Sequence, residues 1–356
     1  MPDQDDRFPT LAVGQALKLA RQGKDAWNEW AAKPGNANLD VSFEGIDFTQ
    51  GGNKDINFSE FVFPSGATFS GATFGKNANF ANTTFGGRAA FRDATFKANI
   101  RFDMATFEGY AEFRDTTFSK HASFVAANFK KDLWIHGASF GGDARFVNAT
   151  FGGTTSFMGS FFNGPVWFDK SSFEAVPDLR RTEFKKHITL HRMNVGLFLP
   201  TMPDDADRYR RLKELAVIAR DHDREQEFFA GELKAKRGHE TQGFPLIANY
   251  LYEWASDLGR SIERPIWSLF YTWFFFGCAY SPDFAKSGPA LRAFHYSLAH
   301  LVPFLPGTRK RIEVLENDLF GGAASDAVFA MTAIEGTMGL IFLFLVGLAL
   351  RNRFRI

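Results

Sequence analysis

Cysteine is almost absent from this chain of 356 residues. The single one, Cys278, has no second cysteine in the chain to pair with, which suits a reducing compartment. A charge excess is absent too, since 41 lysines and arginines against 40 acidic residues give a net charge of +1. No global charge therefore attracts nucleic acid or acidic ligands. The first six residues, Met1 to Asp6, contain no apolar run, so the sequence predicts no secretory signal.

The sequence also has no group of residues typical of an enzyme or a metal site. His187 and His191 are four residues apart but do not lie on a predicted helix, so they do not form a metal-binding pair. His295 and His300 are five residues apart and would not share one helical face. Cys278 lies within an apolar run, away from the electropositive surroundings that activate a thiol. We therefore expect no enzymatic activity, no metal and no cofactor.

Phenylalanine, in contrast, is abundant, and its 43 residues follow a regular grid. Two series each advance by eleven residues, so that a large apolar residue comes alternately five and six positions further on. One series is Phe69, Phe80, Phe91, Phe102, Phe113, Phe124, Ile135, Phe146, Phe157 and Phe168. The other is Phe63, Phe74, Phe85, Phe96, Phe107, Phe118, Phe129, Phe140, Phe151, Phe162, Phe173 and Phe184. A fixed short period predicts a solenoid, in which successive coils bury their apolar sides against each other.

The residue two positions before a grid position is small, as at Ala72, Ala94 and Thr116. On an extended backbone both positions face the same side, and a narrow coil interior has no room for two bulky side chains. Steps of five and six do not keep to one face of a helix, and the sequence lacks the alternation and the two-residue turns of hairpins. The pattern therefore favours a solenoid over helices or ordinary hairpins.

The segments Ala94–Phe96 (Ala-Thr-Phe) and Ala127–Phe129 (Ala-Asn-Phe) resemble the pentapeptide-repeat family, whose consensus is small, polar, large and two variable residues. The resemblance implies a β solenoid, namely a right-handed quadrilateral β-helix, and the alternating steps of five and six residues give about 22 residues per coil. We expect this β-helix over residues 41–199. Six coils are expected between residues 58 and 190, roughly 29 Å long at ~4.8 Å per coil.

Outward-facing positions 22 residues apart are expected to stack along the four sides. Two opposite sides carry the small polar series Thr73, Thr95, Thr117, Ser139 and Thr84, Thr106, Asn128, Thr150, Ser172. Such an array can form an ice-binding face, but the family consensus already requires a small polar residue there. The other two sides carry the mixed series Arg101, Ser123, Arg145, Trp167 and Glu112, Trp134, Ser156. The two mixed sides are candidate binding surfaces.

Helical patterns flank the repeats. Residues 1–40 are expected to contain a capping helix whose Trp27 and Trp30 cover the first coil, as in many members of the family. After the repeats, apolar residues at helical spacing with an acidic first turn and a basic last turn predict a helical hairpin over residues 204–240. We expect the hairpin to pack on the last coil.

The remaining residues, 241–356, contain two apolar spans at about 263–281 and 327–350. Arginines before the first span and after the second, together with several tyrosines and tryptophans, favour insertion in a membrane as a two-helix domain. A short helix at about 290–303 separates the spans, and this layout resembles a degenerate potassium-channel pore domain. The filter sequence T-V-G-Y-G has no counterpart, because Val302 to Gly307 (Val-Pro-Phe-Leu-Pro-Gly) stands in its place. The sequence therefore does not predict potassium selectivity.

One acidic residue, Glu335, interrupts the second apolar span. A carboxylate at that depth needs a partner, water or a proton. We expect it to hydrogen-bond to the short helix between the spans, which offers Arg292, His295, Tyr296 and His300. The expected role of Glu335 is a structural pin, that is, a hydrogen bond that holds the short helix between the two spans. A pore-lining role is the alternative.

These observations predict a multi-pass protein of the bacterial inner membrane, with both termini in the cytoplasm and a β-helix that binds a protein partner. The alternative is an oligomeric, non-selective ion channel or sensor that assembles through the membrane domain as a homo-oligomer. A third class, the gyrase-protecting solenoids that mimic acidic DNA, is disfavoured because residues 58–190 contain fifteen basic and twelve acidic residues. The expected partners are thus the lipid bilayer and a protein, and no nucleic acid.

Overall fold

The computed structural model describes residues 9–50, 56–196, 202–237, 239–281, 287–302, 308–321 and 325–354. The chain divides into two compact units, Met1–His239 and Glu240–Ile356. The first unit is a β solenoid of about seven turns with helices at both ends, and the second is all helical. The helices are α1 (Val13–Ala20), α2 (Lys24–Ala31), the 3-10 helix Pro34–Asn36, α3 (Asp205–Ile218), α4 (His222–Lys236), α5 (Phe244–Ser256), α6 (Glu263–Ala279), α7 (Ser287–Leu301), α8 (Thr308–Phe320) and α9 (Asp326–Arg353).

Four parallel sheets of very short strands form the sides of the solenoid. Sheet I consists of Thr10–Leu11, Asp40–Ser42, Ala67–Thr68, Ala89–Ala90, Ala111–Glu112, Leu133–Trp134 and Thr155–Ser156. Sheet II consists of Thr73–Phe74, Thr95–Phe96, Thr117–Phe118, Ser139–Phe140, Phe161–Phe162 and Glu183–Phe184. Sheet III consists of Ala78–Asn79, Ile100–Arg101, Ala122–Ser123, Ala144–Arg145, Val166–Trp167 and Ile188–Thr189. Sheet IV consists of Val62–Phe63, Thr84–Phe85, Thr106–Phe107, Asn128–Phe129, Thr150–Phe151, Ser172–Phe173 and Asn194–Val195.

Paired strands are one coil apart, so the chain passes through sheets I, II, III and IV in turn. Thr95 pairs with Thr117, which confirms the predicted solenoid and its 22-residue coil. The six coils expected between residues 58 and 190 fit this spacing, and the whole solenoid has about seven turns because coil-to-coil pairing extends from Val41 to Val195. The first coil also differs in length, since Val41 pairs with Ala67 across 26 residues.

Stacked aromatic rings fill the interior of the coils. Phe118 is 1% exposed, and its ring centre lies 5.3 Å from that of Phe96 and 4.5 Å from that of Phe140. The ring planes are nearly parallel because each phenylalanine lies one strand spacing above the previous one. Ala94 and Ala105, which precede grid positions by two residues, are completely buried. The predicted alternation of large and small residues is therefore confirmed in the packing.

The backbone turns at the corners of the coil in two different ways. Between sheets I and II and between sheets III and IV, a residue with positive φ recurs every eleven positions. These residues are Glu60, Gly71, Asn82, Asp93, Met104, Asp115, Ala126, Gly137, Asn148, Gly159, Lys170, Arg181 and Arg192. The other corners bring backbones close together, since a Cβ atom at Gly109 would lie 2.5 Å from the carbonyl carbon of Gly87. A side chain at Gly109 would therefore require a shift of the backbone.

Two helices, α1 and α2, cover the first coil, where we expected a single capping helix. Gly23 separates them with φ of 92°, a conformation that side chains disfavour. Trp27 on α2 is completely buried over the phenylalanines of the first coil, and its indole nitrogen donates to the carbonyl oxygen of Val62 at 2.9 Å. The amide of Asn28 also bonds to this coil, because it accepts from the backbone nitrogen of Val62 at 2.9 Å. These contacts cover an edge that would otherwise lack partners.

Helices α3 and α4 form a hairpin that closes the other end of the solenoid. Leu212 on α3 belongs to the same hydrophobic core as the coils. Arg211 donates to the carbonyl oxygen of Thr182 at 2.8 Å, and Arg224 donates to that of Met193 at 2.7 Å. Both carbonyls belong to the last coil, which has no further strand to accept from. The hairpin thus supplies charged hydrogen-bond donors to the carbonyl groups at the open edge of the last coil. It also buries the aromatic rings of that coil.

In the second unit, α6 and α9 run antiparallel, with α7 packed between them. The side-chain amide of Asn352, near the end of α9, donates to the carbonyl oxygen of Gly259 just before α6 at 3.3 Å. A Cβ atom at Gly339 on α9 would lie 2.3 Å from the carbonyl oxygen of Leu301 at the end of α7, so only glycine permits this approach. Helices α5 and α8 have no counterpart in our prediction. Most of the segment that stands in place of a filter, 303–307, lies outside the described residues.

Apolar side chains cover the outside of this unit. Among the described residues, α9 is the one helix whose length and composition would let it cross a membrane. It is 28 residues long, and 28% of its most hydrophobic 18-residue stretch is buried. Phe329 and Phe344 on α9 are exposed, as are Tyr271 and Phe275 on the 17-residue α6.

Candidate functional site

The outer face of sheet I carries an aromatic ledge formed by Tyr110 and Trp134. Their ring centres are 5.5 Å apart and their planes are inclined by 17°. The rings meet because the strand that contains Trp134 lies one coil beyond the strand that follows Tyr110. Tyr110 is exposed and Trp134 is half-buried. Aromatic rings fixed on a rigid sheet offer a large contact area at low entropic cost.

A carboxylate beside the ledge orders two arginines. Oε2 of Glu112 lies 2.8 Å from Nη2 of Arg88 and 3.9 Å from Nε of Arg92. Glu112 is buried, whereas both arginine side chains are about half exposed. The ion pairs thus hold guanidinium groups at the surface of sheet I next to the aromatic rings.

His136 lies on the same face, one coil beyond Arg114. Burial lowers the pKa of His136, and the charge of Arg114 lowers it further, against the opposing effect of Asp178. The ring is therefore neutral at neutral pH. Within the described ranges its Nε2 atom is buried and has no hydrogen-bond partner. This histidine adds shape but no charge to the face.

Sheet III bears a second mixed group. The guanidinium of Arg145 lies 5.2 Å from the ring centre of Trp167, and His187 contacts that indole edge-on at 5.6 Å. Arg145 also pairs with Asp143 at 3.1 Å, and the same carboxylate lies 3.3 Å from Nδ1 of His121. The guanidinium of Arg145 therefore already interacts with neighbouring side chains on this face.

Among the residues that the structure describes, sheets II and IV and the pair His187 and His191 form no candidate binding or metal site. Sheets II and IV carry the small polar series, with Thr106 beside Thr84 and Asn128. The backbone nitrogen of His191 donates to Asp169 at 3.1 Å. In the part of the chain that the structure describes, no three His, Cys, Asp or Glu residues come together to hold a metal ion.

In the second unit, Glu335 on α9 is completely buried where three helices meet. The hydroxyl of Tyr280, at the end of α6, donates to one carboxylate oxygen at 3.0 Å. The hydroxyl of Ser297 on α7 donates to the other. Both oxygens of the carboxylate thus have a donor, and the side chain connects α6, α7 and α9.

The structure brings a different set of residues to Glu335 than the one we expected. The expected partners were Arg292, His295, Tyr296 and His300. Across the described residues, none of these four donates a hydrogen bond to Glu335. Arg292 pairs with Asp318 of α8 at 3.4 Å, and His295 is half-buried on α7. Tyr296 is buried against Tyr280 and His300, so its ring contributes packing instead.

Helical spacing could have identified Ser297 as a partner. On α7, positions 293, 296, 297 and 300 share one face, because they follow the i, i+3, i+4, i+7 pattern. Ala293, Tyr296 and Ser297 are indeed buried. The expected partners are all charged or aromatic side chains, and the small hydroxyl of Ser297 is not among them. Tyr280 was missed because it comes at the end of the first apolar span.

The comparisons with known proteins concern the solenoid. The family model for pentapeptide repeats (9 copies) matches four overlapping stretches, residues 58–103, 80–127, 102–150 and 124–172. No curated protein and no solved structure matches the chain. The matched stretches include the aromatic ledge on sheet I and exclude the second unit.

Proposed function

Since the repeat region of this chain belongs to the pentapeptide-repeat family, we propose that the protein is a membrane-anchored, non-enzymatic scaffold that presents its β-helix to a protein partner. In this proposal the second unit is the anchor and the first unit carries the binding surface. Nothing among the described residues favours the alternative of an ion channel.

Exposure of α9 is the observation that supports the anchor. A helix of this length and composition could also form the core of a soluble protein, but a core helix is mostly buried. In α9, only 28% of the most hydrophobic 18-residue stretch is buried. Large side chains such as Phe329 and Phe344 each forfeit about 1.5–3 kcal/mol when they remain in water. A bilayer removes that penalty. Arg351 and Arg353 at the end of the helix favour a cytoplasmic location for that end.

The antiparallel partner helix supports the same placement. Helix α6 has 17 residues, about 26 Å, which approaches the ~30 Å of a hydrocarbon core. Trp254 and Trp267 are exposed near its beginning, at the level where tryptophan prefers the membrane interface. Arg260 and Arg264 lie at this same end. Two spans with basic residues at one common end would keep both termini on one side of the membrane.

Sheet I is the binding surface in this proposal. Aromatic residues and arginines dominate the binding energy of protein interfaces, and sheet I displays Tyr110, Trp134, Arg88 and Arg92 together. The rings and guanidinium groups are ordered before a partner arrives, so that little entropy is lost on binding.

Membrane extraction of two matched variants tests the anchor. Phe344 on α9 and Ile218 on α3 are 69% and 64% exposed, so both would tolerate lysine in water. In a bilayer a lysine at 344 costs about 3 kcal/mol. We expect the wild type and Ile218→Lys to stay in membranes after an alkaline carbonate wash, and Phe344→Lys to be lost from them. Release of the wild-type protein by the wash would show that the anchor is wrong.

A further inference from the structure

A wide groove of about 1190 Å³ runs between α6 and α9 in the second unit, with α5 at one end. Rings of Tyr271, Phe275 and Phe342 form much of its wall. The hydroxyls of Ser268 and Thr272 also line it, but they donate to carbonyl oxygens of their own helix at 2.9 and 2.8 Å. The groove is therefore apolar along its length, and it suits a hydrocarbon chain better than a polar peptide.

Arg264 is the one charged side chain among the described residues that line the groove. Its Nη1 atom donates to the carbonyl oxygen of Glu253 at 3.1 Å and lies 3.9 Å from the carboxylate of Asp257. Its Nε and Nη2 atoms have no hydrogen-bond partner among the residues that the structure describes, and the side chain is 52% exposed. Two open donors on a planar guanidinium match the geometry of a phosphate group.

The length of the groove corresponds to one leaflet of a bilayer. Arg264 and Phe276 are twelve residues apart on α6, about 18 Å, whereas half of a hydrocarbon core is ~15 Å. Trp254 and Trp267 line the groove together with Arg264 near the beginning of α6, as expected at the depth of lipid headgroups. A headgroup at Arg264 would therefore direct an acyl chain along the rings toward the centre of the bilayer.

We propose that this groove binds one anionic phospholipid, with its phosphate at Arg264 and an acyl chain between α6 and α9. The proposal rests on the membrane insertion proposed above. A second copy of the chain fits less well, because transmembrane helices associate through small residues and this groove is walled by bulky rings. The volume also exceeds the ~300–1,000 Å³ of ordinary small-molecule pockets, which leaves room for a long chain.

Thermal unfolding of the full-length protein in a neutral detergent tests the lipid site. Phosphatidylglycerol and diacylglycerol, which lacks the phosphate, are titrated separately, and the lipid concentration that gives half of the maximal stabilisation is measured for each. We expect the wild type to need roughly tenfold less phosphatidylglycerol, since a charged hydrogen bond contributes about that factor. Arg264→Gln should abolish this preference. Arg353→Gln, which removes an equal charge at the same end of the helices but outside the groove, should keep it.

A second variant tests the acyl chain part of the site. Ile334→Trp narrows the groove without contact to the arginine headgroup site, and it should weaken the effect of both lipids. The proposal is overturned if the wild type shows no preference, if Arg264→Gln retains it, or if Ile334→Trp changes neither titration. Stabilisation that follows protein concentration instead of lipid would assign the groove to a second copy. If the wild type resists the carbonate wash but shows no lipid preference, only the lipid site is wrong and the anchor stands.

Discussion

The hydroxyl of Tyr280 donates a hydrogen bond of 3.0 Å to the buried carboxylate of Glu335. This bond connects the end of α6 to the middle of α9, and Ser297 adds α7 through the other carboxylate oxygen. The contacts around it are mostly between apolar side chains, which fix no orientation by themselves. A fully hydrogen-bonded carboxylate can therefore set the mutual position of three helices.

Removal of the carboxylate should destabilise the second unit. Glu335→Ala leaves the hydroxyl of Tyr280 without its acceptor and leaves Ser297 only the carbonyl oxygen of Trp273, so we expect a loss of about 1–3 kcal/mol. The measurement is thermal unfolding in detergent, with Thr337→Ala as a control on an exposed position of the same helix. An unchanged melting temperature together with an altered ion conductance in planar bilayers would contradict the pin and favour a pore.

Loss of one ring from the middle of the solenoid should be costly. Phe118→Ala removes the contacts to Phe96 and Phe140 and leaves a cavity that rigid strands cannot close, so we expect a loss of about 3–5 kcal/mol. Denaturant unfolding monitored by the far-ultraviolet signal of the sheets measures it. Met104→Ala, at an exposed corner of the same solenoid, should change stability by less than about 0.5 kcal/mol. Equal effects of the two variants would contradict the role of the stack.

The sequence predicted the solenoid well because its period is local. A phenylalanine every five or six residues, as at Phe118 and Phe124, fixes side-chain direction and coil length without knowledge of any distant contact. The length of the first coil was not predicted, because its 26 residues depart from the 22-residue repeat that sets the six coils expected between residues 58 and 190. The split of the capping helix at Gly23 depends on one backbone angle that periodicity does not reveal.

The contacts of Glu335 were harder to predict than its burial. An acidic residue in an apolar run must be buried or paired, and this much follows from solvation alone. Which donor reaches it depends on the rotation and crossing of α6, α7 and α9, and these are set by close contacts such as the one at Gly339. On sheet I, the sequence predicted the mixed side that carries Trp134 but not its contact with Tyr110, because these two residues are 24 residues apart, two more than a coil.

Acidification should destabilise the hairpin of α3 and α4 through Glu232. Its buried carboxylate lies 2.6 Å from Lys213 and 2.7 Å from Lys236. Burial by itself raises the pKa of Glu232, but the hydrogen bonds from the two lysines outweigh it and hold the pKa below its ordinary value of 4.5. Because the folded pKa is lower than the unfolded one, this stabilisation is present above pH 4.5 and is lost as the pH falls through the folded pKa.

The matched variants for this pH effect are Glu232→Gln and Glu214→Gln. Glu214 is an exposed partner of Arg211, so its replacement should leave the acid branch of the stability curve unchanged. Glu232→Gln should lower stability at neutral pH by about 1–3 kcal/mol and flatten the acid branch. Denaturant unfolding between neutral pH and pH 3 measures both curves. An acid branch of wild-type slope in Glu232→Gln would show that other carboxylates cause it.

The two-span topology predicts different compartments for two reporter fusions. A reporter inserted at Gly321, between α8 and α9, should lie outside the cytoplasm, whereas a reporter at the C-terminus should lie inside it, because Arg351 and Arg353 remain with the cytoplasm. Alkaline phosphatase is active only outside, and a fluorescent protein that fails to fold after export reports the inside. Activity of the same reporter at both positions would contradict the topology.

Partner binding should depend on the aromatic ledge of sheet I. A photoreactive benzoylphenylalanine at position 134 is expected to crosslink the partner in cells, whereas the same residue at Thr106 on sheet IV should not. Once the crosslinked protein is identified, Trp134→Ala should weaken its binding to the full-length chain by roughly thirtyfold, as for an aromatic residue at the centre of an interface. Thr106→Ala should leave that affinity unchanged. Crosslinks that arise from position 106 and not from 134 would place the partner on the small polar face, and sheet I would then not be the binding surface.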